Sequence, residues 1–497
     1  MDQSVIPPGI PSVIPSVIPS VIPSVIPLAD PHEQAVAAAL AQTRAAGRGW
    51  AGRPVADRLL VIARVRQLIA RDAAALAATV ARDAADTLVA EVLPLAEAAR
   101  FLVRHGRAIL APARLRGAGP LWLLGVRAEL RREPCGVVLV LGPGNYPLFL
   151  PGVQVLQALA AGNAVCLKPA PGRGGPMQAL AALLAEAGLP AGVLCLLDPD
   201  AGAAASRAGF DRIVLTGSAE TGGRVLAAAA ARLTPATMEL SGSDAVFVLP
   251  GADLDLVARC LAYGLRLNGG ATCIAPRRVF VPEGVAAGLE ARLVALLPGI
   301  PDAAVPGAVA ERLAGLVEQA VAFCARVVSA GPGRPTVVAD VRPGMALLDV
   351  DVFAPWLALV PVVDTAAALE AAEGCGYALG ASIFGPAAAA RVVAGQVRAG
   401  SVCINDLIVP TADPRLPFGG RGRSGFGSTR GELGLLEMTV PKAVSVRRGR
   451  FRPHLTPAVP GDAVLYAHMV AVLHGSWANC WAALRGLAAG RGRPGKG

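Results

Sequence analysis

A chain of 497 residues with 54% hydrophobic but only 4% aromatic content is long enough for two or three domain-sized units, with cores built from Ala, Val and Leu. Its net charge of +10 argues little for a nucleic-acid partner. Residues 445–497 carry eight Lys/Arg against one Asp, so the other 444 residues hold only +3. The nine cysteines, at 135, 166, 195, 260, 273, 324, 375, 403 and 480, show no CxxC spacing, and with five His they exclude a zinc-ligand pattern.

In chain order, residues 4–27 hold five copies of Ser-Val-Ile-Pro. Pro at every fourth position blocks helix and central strand, so a disordered arm is expected over 1–30. No signal peptide is read at the start, because no apolar run follows a charged beginning. Residues 31–111 are Ala-rich with helical spacing, as at Leu59, Ile62, Arg66 and Ile69, and predict two or three helices. Leu115–Arg132 has hairpin character, with Gly117, Gly119, Pro120 and Gly125 between apolar runs.

From Gly136 strands alternate with helices. Strands are expected at Gly136–Leu141, Asn163–Lys168, Gly192–Leu197 and Arg212–Thr216. Helices are expected at Leu148–Ala161, Met177–Ala187 and Ala219–Arg232. Short strands separated by longer helices imply βαβ units and parallel sheets, an α/β fold. A second alternating stretch runs from about Ala245 to Ile408, and the break near Glu239–Ser243 marks a domain boundary. At the far end, Ala463–Leu484 runs 22 residues without Asp, Glu, Lys or Arg. It includes Trp477 and Trp481 and is flanked by arginines. That pattern fits a helix packed on its own protein, a peripheral contact with an anionic membrane, or a span made expensive by His468, His474, Ser476 and Asn479.

Five segments carry candidate chemistry. Gly142-Pro143-Gly144-Asn145 follows a strand, where doubly wound sheets bind ligands, and Asn145 offers an amide donor. Lys168 ends another strand. Thr216-Gly217-Ser218, with Gly222 further on, joins a strand to a helix and suits phosphate binding, although it is neither GxGxxG nor a Walker loop. Glu239 lies between apolar residues, where burial raises a carboxylate pKa toward that of a general base. Cys273 ends a loop of small residues that leaves room for a substrate and for backbone donation to an oxyanion. No His stands ready to pair with it, so a thiol protease is disfavoured.

Taken in order, these segments resemble the NAD(P)-dependent aldehyde dehydrogenase superfamily over about residues 31–446. The spacing of 34 residues from Glu239 to Cys273 fits that family. Asp351-Val352-Phe353-Ala354-Pro355 resembles its Glu-x-Phe-Gly-Pro. Leu416–Gly420 with Ser424–Gly427 resembles its C-terminal signature. The resemblance implies two Rossmann-like parallel-sheet domains plus a small β oligomerisation flap. The cofactor domain would take 31–114 and 133–240, the catalytic domain 241–430 and the flap 115–132 with 439–446, followed by a basic and apolar tail over 447–497.

The implied reaction oxidises an aldehyde to a carboxylic acid with NAD or NADP and no metal. Cys273 is the implied nucleophile, Glu239 the base that activates water, and Asn145 with the Cys273 N–H the oxyanion donors. Lys168 would bind the adenosine ribose, Ser218 the pyrophosphate, and Asp351 the nicotinamide ribose with Phe353 beside the ring. In NAD-preferring members a Glu stands three residues after the Lys, and Pro171 replaces it here, so NADP is expected to serve. Rival readings are a CoA-acylating aldehyde dehydrogenase and a non-catalytic scaffold of the same fold; the presence of Glu239, and of all three catalytic groups, argues against them. A cytoplasmic homo-oligomer, a dimer or tetramer, is expected, with possible membrane association through the tail.

Overall fold

The computed structural model describes residues 31–115, 123, 125–450 and 452–490. The Ser-Val-Ile-Pro arm and the tip of the expected hairpin lie outside these residues. The chain divides into two units. The first runs to Ala113 and resumes from Leu130 to Lys442; the second takes Arg114–Glu129 and everything from Ala443 on.

Three long helices open the first unit: α1 (Pro31–Ala51), α2 (Val55–Arg71) and α3 (Leu93–Ile109). On α2 the buried face is Leu59, Ile62, Val65 and Ile69. Val65, rather than the expected Arg66, completes the apolar stripe, which restores the helical period. Between α2 and α3 a π-helical turn at Leu88–Val92 carries the fully buried Glu91.

The first sheet is built from β1 (Val137–Leu141), β2 (Ala164–Lys168), β3 (Leu194–Leu196), β4 (Arg212–Gly217) and β5 (Ala236–Leu240). These five strands pair in parallel in the order β5-β4-β1-β2-β3. Every residue of β1 is buried, as the continuous Val/Leu run requires. The helix α4 (Phe149–Ala161) crosses from β1 to β2 and is also buried on all sides. Glu91 accepts the N–H groups of Leu148 at 2.7 Å and Phe149 at 3.0 Å, so a carboxylate distant in sequence satisfies donors at the start of that helix. Strand and helix limits fall within two residues of those read from the sequence.

The second sheet takes β6 (Asp244–Val248), β7 (Pro276–Pro282), β8 (Arg326–Ser329), β9 (Thr336–Ala339), β10 (Trp356–Val362), β11 (Gly380–Phe384) and β12 (Ser401–Ile404). Its order is β8-β9-β10-β7-β6-β11-β12, parallel except for the edge pair β8/β9. Only three residues separate β5 of the first sheet from β6 of the second.

The chain then returns to the first sheet. Strand β13 (Gly425–Phe426) pairs antiparallel with β5, and helix α5 (Gly431–Glu437) follows it. Leu435 and Met438 sit in the first core. Gly425, at φ +93°, is needed here: a Cβ would run into the Met238 carbonyl.

Strands Ala113–Arg114, Val126–Pro134 and Thr439–Arg447 form a separate three-stranded sheet in that order around the second strand. The uncharged stretch of the tail is not one helix. It is split into α6 (Asp462–His474) and α7 (Trp477–Gly490), because Gly475 leaves helical geometry and the Ser476 carbonyl accepts the Cys480 N–H of the next helix. Among the described residues no helix is long and apolar enough to cross a membrane.

Asn163 ties the first unit together. Fully buried, it accepts the Gly136 N–H at 2.9 Å and donates to the carbonyls of Ala158 at 3.1 Å and Met438 at 2.8 Å. Asn163→Ala orphans these buried backbone groups and should cost about 2–4 kcal/mol. Urea denaturation checks this, and a loss below about 0.5 kcal/mol would show that the three bonds contribute little.

Candidate active site

The loop before β7 is strained into position. Asn268, Gly269 and Gly270 are three consecutive residues with positive φ, at +52°, +58° and +72°. A Cβ on Gly270 would collide with the Ala354 carbonyl and Pro355, so this glycine permits the loop to lie on the segment that carries Asp351 and Phe353. The Asn268 amide donates to Asn145 O at 3.0 Å and to Ala271 O at 3.1 Å. Asn145 donates to the same Ala271 carbonyl at 3.1 Å and accepts the Tyr146 N–H through its own Oδ1. Tyr146 and Thr272 share a hydrogen bond of 2.7 Å. Residues from the end of β1 and from the loop before β7 thus hold each other, and Cys273 sits at their junction.

Cys273 is half-buried, not on an exposed loop as its small neighbours suggested. Burial pushes its thiol well above the usual range; Glu239 and Asp244 push it further, and Arg430 pulls it back. Glu239 is 2% exposed on β5, between Thr216 of β4 and Gly425 of β13. Its Oε2 accepts from Thr429 Oγ1 at 2.6 Å, and its Oε1 is buried with no partner. Burial raises its pKa against the opposing pull of Arg430 and Thr429. Asp244, on β6, accepts from Gly380 N at 3.1 Å and is raised to about 7, chiefly by burial.

A cleft of about 1040 Å³ opens at the carboxyl ends of β1 and β4. This is the point where strand order reverses in the first sheet, the usual ligand crevice of doubly wound folds. Asn145, Thr216, Gly217, Ser218, Glu239, Cys273, Asp351 and Phe353 all line it. Asp351 carries a buried Oδ1 with no partner, and burial raises its carboxyl pKa. That orphaned acceptor, with free backbone donors at the start of the helix Ala219–Ala230, fits a ligand bearing hydroxyls and phosphates.

Three sequence candidates behave differently. Lys168 is half-buried against Gly202 and is not in the cleft lining. Gly222 lies under Leu240, whose side chain a Cβ would strike, so it serves close helix–sheet packing. The Thr216 hydroxyl accepts from Gln154 Nε2 at 2.9 Å and Ser218 caps the following helix at Thr221 N.

A second cavity, of about 110 Å³, meets Cys273 from the other side. Tyr146, Phe149, Thr272, Ile408 and Phe418 line it, with Arg430 as the one charged side chain. Sequence reading passed over this cavity. Its walls come from separated segments, of which only the Cys273 loop and the Phe418 motif gave a signal.

Comparison with known proteins agrees with this geometry. The model of the aldehyde dehydrogenase family matches residues 12–444. The chain is 32% identical to the "Putative succinate-semialdehyde dehydrogenase" of Mycolicibacterium smegmatis, whose name assigns it NADP; the match covers 83% of this chain and 84% of that one. It is 30% identical to the 4,4'-diapolycopene aldehyde oxidase of a Methylomonas species, over 83% and 81% of the two chains. Among solved structures, an NAD-dependent aldehyde dehydrogenase from Sinorhizobium meliloti superposes with a TM-score of 0.80 at 28% identity, covering 85% and 89%. A Mycobacterium tuberculosis aldehyde dehydrogenase complexed with NAD+ gives 0.78 at 26%, covering 84% and 92%.

Proposed function

The chain belongs to the aldehyde dehydrogenase family, and from that premise we propose that it oxidises an aldehyde to a carboxylic acid with NAD or NADP, using Cys273 as nucleophile and Glu239 as base. The observation that carries this reading is the meeting of two cavities at Cys273, with the buried carboxylate of Glu239 on the wall of the larger one. The family's two-domain division, 31–114 with 133–240 and 241–430, is adopted with it. Asp351, Phe353, Gly217 and Ser218 would hold the dinucleotide in the large cleft. Lys168 would have to swing from Gly202 to reach the adenosine ribose. When bound, the nicotinamide accepts a hydride.

The protein's own steps follow from charge and reach. The Cys273 thiol gives up its proton to solvent through the open cleft, its sulfur attacks the carbonyl carbon, and the oxygen that becomes negative needs donors. The Cys273 N–H supplies one; the Asn145 amide, which spends one of its two N–H groups on Ala271 O, supplies the other. After oxidation the acyl group is a thioester on Cys273. Glu239, its pKa already raised by burial, takes a proton from water, which hydrolyses the thioester and frees the thiol. A CoA-acylating reaction needs no such base. The flap strands would mediate a homodimer or tetramer, a state that light scattering reads.

Proline at 171 lets NADP serve. Pro171 and Arg173 both line the cleft. Pro171 offers neither an acceptor for ribose hydroxyls nor a charge to repel a phosphate, and Arg173 is an exposed cation beside it. Loss of a charged hydrogen bond weakens NAD by about ten- to a hundredfold. With nine free thiols we place the enzyme in the cytoplasm. The exposed Val464, Leu465, Val470, Trp477 and Trp481 of the tail, with Arg447, Arg448 and Arg450 before them, would touch an anionic membrane surface without crossing it.

Three outcomes are expected. Cys273→Ala should abolish NAD(P)H production while keeping the fold by circular dichroism, and Glu239→Gln should give a burst near one NAD(P)H per site and then stall; full turnover in either excludes that residue's role. With one good aldehyde, kcat/KM for NADP should be within about a hundredfold of that for NAD or better, and a stronger NAD preference contradicts the argument from Pro171. Vesicles of anionic phospholipid should co-sediment the protein at low salt while neutral vesicles should not, and cell fractionation should find it in the cytoplasm; no binding to anionic vesicles ends the membrane reading.

A further inference from the structure

We propose that Arg430 selects the substrate: its guanidinium receives a carboxylate at the far end of a short aldehyde whose carbonyl lies at Cys273. The inference rests on the aldehyde-oxidising reading above and adds to it a substrate class and the residue that recognises it.

Arg430 is an unusual buried cation. It is 5% exposed, yet only Nη1 has an acceptor, the Thr411 carbonyl at 2.6 Å, and its Nε is buried with no partner. The three other fully buried arginines are better satisfied. Arg58 reaches the carbonyls of Ala51, Arg53 and Ala160; Arg277 reaches those of Gly270, Ala354 and Trp356; Arg278 reaches those of Ser243 and Ala372. What holds Arg430 is aromatic: its guanidinium lies 4.1 Å from the Phe418 ring centroid and 5.4 Å from that of Phe149. Ring faces attract a cation but accept no N–H in the way a carboxylate does.

The backbone points the same way. Arg430 has φ +63°, a costly conformation for a residue with a Cβ, between the Phe418–Thr429 bridge and Gly431. The fold therefore pays for keeping this side chain where it is. The carboxylate in the neighbourhood, Glu239, accepts its one hydrogen bond from Thr429 Oγ1. Cys273, Glu239 and Asp244 all bear on the local charge, and Arg277 is committed to carbonyls. A wholly apolar aldehyde would seal the Arg430 cation away from water with only the Thr411 carbonyl as hydrogen-bond acceptor and Glu239 as a charge neighbour that makes no hydrogen bond to it. An aldehyde ending in a carboxylate would pair it. Because Cys273 and Arg430 line one cavity of only about 110 Å³, the chain between the two ends must be short.

The test compares 4-oxobutanoate with butanal, which share a four-carbon chain and differ in the terminal carboxylate. The wild-type enzyme should favour the acid by about tenfold or more in kcat/KM. Arg430→Gln should raise KM for the acid by about tenfold while changing KM for butanal less than about threefold, and Arg430→Lys should restore part of the preference. No preference in the wild type overturns the proposal. So does an equal loss on both substrates with a displaced pH profile, which would make Arg430 a counter-charge to Cys273 and Glu239. A measurement on the wild type covers the case in which the variants do not fold: succinate should slow alkylation of Cys273 by iodoacetamide, followed at that peptide by mass spectrometry, and butanamide should not. Equal protection by both overturns the carboxylate assignment. If no aldehyde reduces cofactor yet succinate still protects Cys273, the oxidation reading fails and the anion site stands.

Discussion

The site depends on one backbone constraint, the three left-handed residues that precede Cys273. Asn268, Gly269 and Gly270 turn the chain so tightly that Gly270 rests against Ala354 and Pro355. This contact sets Cys273 beside the segment of Asp351 and Phe353, about eighty positions away in sequence. The Asn268 amide repeats the operation on the other side, where it fastens the loop to Asn145 at the end of β1. Left-handed backbone costs free energy in Asn, and two glycines and three hydrogen bonds offset it. Move this turn and the large cleft, the thiol and the small cavity no longer share a point.

A second constraint comes from the return of the chain to the first sheet. Strand β13 covers the open edge of β5 and with it Glu239. Without that strand the carboxylate would stand at a sheet edge in water and have an ordinary pKa. Covered, it is desolvated, and its remaining oxygen has no partner. The same segment brings Thr429 to Glu239 and Arg430 to the small cavity. The cover over Glu239, its hydroxyl partner and the neighbouring cation thus arrive by one chain crossing, which makes the charges of Glu239 and Arg430 mutually dependent. Burial and the nearby carboxylates raise the Cys273 thiol pKa, and Arg430 pulls it back, so the cation that this crossing delivers acts on the thiol as well as on Glu239.

The parallel sheets were legible because their strands are short apolar runs set between helices with clear spacing. Val137–Leu141 and Arg212–Gly217 are examples, and their carboxyl ends carry the small, polar residues that chemistry needs. Less local features were not legible. Glu91 caps a helix that starts 58 residues later, and nothing around it in sequence marks that role. Gly222 reads as a phosphate-loop glycine, yet its lack of a side chain serves the Leu240 contact. The tail's uncharged run reads as one helix until Gly475 and Ser476 divide it. Arg430 sits among charged residues at the end of a glycine-rich loop, where an arginine ordinarily faces solvent. Only the aromatic pair from two other segments reveals it as buried.

Buried polar atoms without partners are expensive, on the order of 1–3 kcal/mol each. Among the described residues, four such atoms lie on side chains that line the two spaces: Glu239 Oε1, Asp351 Oδ1 and Arg82 Nε on the large cleft, and Arg430 Nε on the small cavity. The two carboxylate oxygens are acceptors, matched to ligands that donate hydrogen bonds. Arg430 Nε is a donor, matched to a ligand that accepts one. The two spaces that meet at Cys273 are therefore complementary to different ligands, and a ligand that supplies a missing partner returns that free energy. The division lies at Cys273 itself, the one side chain besides Leu150 that borders both spaces.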